Sequence, residues 1–169
     1  MYNYYNGISS ILFTISAIKS IFVSKLILWK CSNIILPITS FLYNIDYNNK
    51  YYEFADYFTI YFICASYINH FTINSILSIL LVYEFINSYN IIVVKNITFC
   101  LSILKSIINT YYYDINLVIV LLPHIIIYML LFKVRQELYY RNIMDYITIL
   151  TIAGHICILH ILYITSFTS

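Results

Sequence analysis

The sequence predicts an all-α integral membrane protein with three to five transmembrane helices plus an N-terminal interfacial or membrane-embedded helix. Three observations carry this expectation. Of the 169 residues, 62% are hydrophobic and 9% are charged, whereas a soluble domain has about 25% charged residues. The mean hydropathy is +0.84. Between Asp56 and Lys95 the text holds one carboxylate, Glu84, and no ammonium or guanidinium group. A net charge of +2, dispersed along the chain, argues against nucleic acid as a partner.

Residues 1–43 read as an N-terminal interfacial or membrane extension. The apolar run from Ile8 is interrupted by Lys19 and Lys25. With Lys30, these fit a helix at the membrane interface whose lysine stems lie along apolar surface. Trp29 suits the headgroup level. Pro37 predicts that residues 31–43 are a short apolar turn or half-helix. No charge stands between Met1 and Ala17, and the first arginine is Arg135. The start therefore reads neither as an Arg-rich presequence nor as a basic-led signal peptide.

Residues 44–56, with Asp46, Lys50, Glu53 and Asp56, read as an exposed polar loop. Residues 57–135 read as a three-helix-type membrane core. Asn69 and His70 mark a turn, giving one span that ends near Ile68 and a second from about Ile73 to Val94. Lys95 to Tyr113, bracketed by Lys95 and Lys105, is expected to be a short interfacial helix, with Asp114 capping the next one. Asn116 to Phe132 is a charge-free span carrying Pro123 and His124. Residues 133–145 form a polar, basic connection that the positive-inside tendency places on the cytoplasmic or matrix side. Residues 136–169 add an extra C-terminal transmembrane helix from Tyr146 to Phe167, with His155 and His160.

Glu84 is the leading candidate site. Ten residues of helix cover about 15 Å, so a span from Ile73 to Val94 puts this carboxylate deep in a hydrocarbon layer of roughly 30 Å. An ionised group there costs on the order of 2.5–3.5 kcal/mol or more. Helical spacing gives it Asn87 and Ser88 as company, with Lys95 returning to the same face three turns later. Glu84, Asn87 and, in the next span, His124 are the candidate proton-path residues; a structural reading gives Glu84 a hydrogen bond to Asn87, and His124 one to a carbonyl freed by Pro123. His155 and His160, five apart, point to different sides of one helix and read as structural. Arg135, Glu137 and Arg141 read as a solvated cluster or a subunit contact. Cys31, Cys64, Cys100 and Cys157 are too far apart for a zinc or disulfide framework. Gly7 and Gly154 are the two glycines, so no phosphate-cradling loop exists. Few close backbone approaches are expected, and contacts should be filled by Ile and Tyr. No Ser/His/Asp arrangement emerges, so the chain is not expected to catalyse by itself. Ile, Tyr, Asn, Phe and Lys are residues of A/T-rich codons, a bias that points to an A/T-rich genome, often an organellar one.

The text NSILSILLVYEFINSYN, succeeded one span later by PHIIIYMLLFKVR, resembles chain 4L of mitochondrial NADH–ubiquinone oxidoreductase over residues 57–135. That family is a three-helix membrane subunit with a buried Glu on its second helix, matched by Glu84, and an Asn soon after, matched by Asn87 or Asn90. His124 stands where the family has a second buried Glu, and Tyr128 where it has a Gly. The resemblance implies a subunit of the proton-pumping arm, in the mitochondrial inner membrane, organelle-encoded, with other membrane subunits and lipids as partners and no cofactor of its own.

Two other resemblances are narrower. Asp145 and Tyr146 look like the quinone-site pair of the succinate dehydrogenase membrane anchor, which implies ubiquinone and a His ligand to haem b. His124 lies 21 residues before Asp145, farther than that motif's spacing. Ala153, Gly154 and His155 look like a segment of ATP synthase subunit a, but that family's essential Arg falls on Tyr146. Beside these stands an accessory structural membrane subunit of a respiratory complex without chemistry of its own.

Overall fold

The computed structural model describes residues 4–23, 27–46, 48–140 and 146–165. Every element among them is helical. A short helix α1 (Tyr4–Ser9) passes through a 3-10 turn (Ser10–Leu12) into α2 (Phe13–Val23). Next come α3 (Ile27–Ile45), α4 (Lys50–Ile68), α5 (Phe71–Ser88), α6 (Ile92–Tyr113), α7 (Ile115–Tyr140) and α8 (Ile147–Thr165). The helices α3, α4, α6, α7 and α8 pack in that order, and α8 closes onto α1 and α2, which return to α3. α5 lies outside this ring, against α6 and α4.

Three segments, Phe71–Ser88, Ile92–Tyr113 and Ile115–Leu138, are long and apolar enough to cross a membrane. The N-terminal segment Gly7–Lys19 is a shorter apolar helix. It buries Phe13 and Ala17 while Ile8, Ile11, Ile15 and Ile18 stay exposed, an apolar stripe at helical spacing.

Several boundaries differ from the sequence reading. Pro37 sits inside α3 and does not end it. The stretch from Lys50 to Asp56 is helix, because Asn49 caps α4: its Oδ1 accepts from Tyr51 N at 3.0 Å and Tyr52 N at 3.4 Å. Asn69 does end α4, in the left-handed region at φ 44°, as Asn tolerates. Lys105 reaches back from α6 and donates to Tyr67 O at 2.8 Å and Ile68 O at 2.6 Å, satisfying carbonyls that the helix end leaves open. α5 stops at Ser88 rather than Val94, and Lys95 to Tyr113 belongs to a full-length helix, not a short interfacial one. α7 runs on to Tyr140, so Arg135 and Glu137 are helical. Trp29 is buried against Tyr67 (ring centroids 5.2 Å apart) instead of facing headgroups.

The packing seams differ from expectation as well. The buried face of α6 reads Val94, Thr98, Ser102, Ser106, Thr110, and that of α3 includes Ser32, Leu36, Ser40 and Asn44. Small polar residues at every fourth position let neighbouring backbones approach where glycine is scarce. Thr98 and Ser32 direct their hydroxyls to carbonyls in their own helices at 2.7 and 2.8 Å, so these two burials need no partner across the seam.

Candidate functional site

α5 and α6 meet in a tight turn. Tyr89 adopts φ 53° and donates its N–H to Phe85 O at 2.9 Å; Asn90 Oδ1 accepts from Ile91 N at 2.7 Å. The first N–H groups of any helix lack intrahelical partners, and Ile91 offers α6 no side-chain cap. Glu84 fills that role from the preceding helix. Its Oε1 accepts from Val93 N at 2.8 Å and its Oε2 from Val94 N at 2.7 Å. A carboxylate at a helix N-terminus also meets the favourable end of the helix dipole. Glu84 thus sits one turn from the end of α5, half-buried, not in mid-span.

Asn87 is not brought to this carboxylate. Its Nδ2 donates to Tyr83 O at 2.8 Å, and Ser88 Oγ donates to the Glu84 backbone O at 2.8 Å. Lys95 does come near Glu84, but across the turn rather than along one helix face. Its Nζ lies 3.8 Å from the centre of the Tyr57 ring, a cation–π contact.

Lys95 has further acidic neighbours in Asp56 and Glu53 of α4. Asp56 is 5% exposed and its Oδ1 has no hydrogen-bond partner. The Tyr57 ring stands edge-on to that of Tyr43 of α3, with centroids 5.8 Å apart. α4 is not among the three segments apolar enough to cross a membrane. Burial pushes the Asp56 carboxyl up to about 7, with Lys95 and Arg135 pulling it back. Arg135 Nη1 donates to Thr151 Oγ1 at 3.4 Å. One end of the bundle therefore gathers charged or titratable groups from α3, α4, α5, α6 and α7. Sequence reasoning found Glu84 and missed Asp56, because a polar run before an apolar one reads as loop.

His124 lies on a different interface. Its Nδ1 is 2.7 Å from Val120 O, and its Nε2 is 2.8 Å from His160 Nδ1 on α8. The carbonyl freed by Pro123 is that of Ile119, so His124 bonds the neighbouring one. His155 turns the other way: its Nδ1 is 2.7 Å from Ser9 Oγ and its ring stands edge-on to Phe13. No group of three or more metal-ligating side chains occurs among the described residues. Cys64 and Cys157 are buried, whereas Cys31 and Cys100 are exposed. Tyr146 is exposed at the start of α8, and Asp145 and Arg141 lie outside the described residues.

No protein-family model matches the chain, and no curated protein or solved structure does either. Chemically, the clustered end offers one fixed carboxylate (Glu84), one buried carboxyl with an unpartnered Oδ1 (Asp56) and a cation near them (Lys95). It offers no nucleophile–base pair.

Proposed function

We propose that this chain is an integral membrane subunit of a respiratory-chain complex in the mitochondrial inner membrane, and that its part there is structural. It fills space between lipid and partner helices. The observation that carries the membrane reading is α5: Leu77 is its one buried residue, while Ile76, Ile79, Val82, Tyr83 and Ile86 are all more than half exposed. An apolar helix with so little protein cover belongs in hydrocarbon or against another apolar surface. Placement in a respiratory complex rests on the resemblance of residues 57–135 to chain 4L.

A second reading keeps the chain in the proton-pumping arm of NADH–ubiquinone oxidoreductase, with Glu84 and His124 on the proton path. It is favoured by the clustering of Asp56, Glu84 and Lys95. Two experiments test these readings. Retention in alkaline-washed membranes and co-purification with respiratory subunits in mild detergent are expected; release into the wash, or purification with no such subunit, overturns the proposal. In the assembled complex, Glu84→Gln should leave proton-coupled turnover unchanged if the chain is structural. Reduced turnover with assembly intact favours the second reading.

A further inference from the structure

Asp56 is out of place for a structural residue. It stands two turns inside α4 with nearly all its surface covered, and one carboxyl oxygen has no donor. Buried polar atoms are almost always paired, and a buried carboxyl with an oxygen that no donor reaches tolerates burial best when it carries a proton. The surrounding groups supply a counter-charge. Lys95 of α6, whose Nζ lies over the ring of the adjacent Tyr57, and Arg135 of α7 are the cations whose charge it feels. Tyr43 comes from α3, Glu84 lies at the end of α5 beside Lys95, and Glu53 and Tyr57 share its own helix. The Tyr43 ring stands edge-on to the Tyr57 ring, with centroids 5.8 Å apart, and Glu53 is half-buried.

We propose that Asp56 is a proton-binding site, taking up and releasing one proton at the end of the bundle where α5 turns into α6, with Lys95 as its counter-cation. On uptake an O–H bond forms at Oδ1 as a hydronium ion in the aqueous phase gives up one proton. On release the same bond breaks and water accepts the proton; no electron is transferred. The charge of the Asp56–Lys95 pair changes from zero to +1 on uptake. This site does not depend on membership of a respiratory complex, so it stands or falls separately from the function proposed above.

The test is infrared spectroscopy of the full chain in lipid nanodiscs. A protonated-carboxyl C=O stretch should appear and disappear as pH is swept through neutrality. Asp56→Asn should remove that band, and Lys95→Gln should move its midpoint to higher pH, because the carboxylate loses its compensating cation. Labelling the aspartate carboxyls with ¹³C in the unsubstituted chain should shift the band, which keeps the test independent of whether the variants fold. A titrating band that survives Asp56→Asn, a band that ignores aspartate labelling, or no titrating band at all would each overturn the proposal.

Discussion

Val94 offers its N–H to Glu84 Oε2 at 2.7 Å, so the carboxylate that stands out in the sequence is committed to a helix end. With Val93 bound to the other oxygen, both oxygens are held by the backbone of α6. Replacing a side-chain cap costs about 0.5–2 kcal/mol. Glu84→Ala should therefore destabilise the protein by about 1–2 kcal/mol, and Glu84→Gln, which keeps one acceptor, by less. Denaturant unfolding in mild detergent checks this ordering; equal losses for the two variants would mean that the hydrogen bonds to α6 contribute little.

Much of the helical layout was legible, and the misses have physical causes. The turn at Asn69 was readable because Asn tolerates the left-handed region. The break at Tyr89 was not, since a tyrosine at φ 53° carries no sequence signal. Without that break, Glu84 falls in mid-span and Lys95 on its own helix. The polar starts and ends of α4 and α7 were hidden for a different reason: hydropathy reports apolar length, whereas a cap such as Asn49 decides where a helix begins. The four-residue spacing of Thr98, Ser102, Ser106 and Thr110 was visible throughout and is the signal that marks the buried face of α6. Nothing in the text announces that Asp56 is covered, because that depends on how α4 packs against α3 and α6.

The His124–His160 contact fixes two tautomers. A carbonyl oxygen only accepts, so the neutral His124 ring carries its proton on Nδ1, next to Val120 O. Its Nε2 is then the acceptor, and His160 donates from Nδ1. ¹⁵N NMR of labelled histidine should find both rings protonated at Nδ1. His160→Phe should cost about 0.5–1.5 kcal/mol, since it leaves the His124 Nε2 lone pair without its donor. Protonation of His124 at Nε2 instead would refute this arrangement.

Asp56 also predicts how stability depends on pH. Its carboxyl is pushed from 3.8 to about 7 in the folded chain, so the folded state holds the proton more tightly than the unfolded one. That contribution to stability is complete below the unfolded value of 3.8 and is lost as pH rises through about 7. At about 1.4 kcal/mol per pH unit, the loss reaches about 4 kcal/mol at most. The difference in Tm between the unsubstituted chain and Asp56→Asn, measured in detergent, should fall as pH rises across this window; the comparison cancels His155, whose lowered pKa gives the opposite slope. A difference that climbs with pH over the same range would give the opposite sign and exclude a raised carboxyl.

The two glycines separate close packing from helix propensity. A Cβ on Gly7 would lie 2.7 Å from Ile45 Cγ1 and 3.2 Å from Phe41 Cδ2, so the Ile45 and Phe41 side chains of α3 must shift to admit it. A Cβ on Gly154 would meet only the Tyr128 ring, at 3.9 and 4.0 Å, which is ordinary contact. Alanine gains about 0.5–1 kcal/mol over glycine inside a helix, and overpacking a tight contact costs about 1–3 kcal/mol. Gly154→Ala should therefore be neutral or stabilising, while Gly7→Ala should lose about 1–2 kcal/mol on balance. Unfolding midpoints of the two variants in the same detergent make the comparison direct. If Gly7→Ala proved the more stable of the two, Ile45 and Phe41 could not press on Gly7 at these distances.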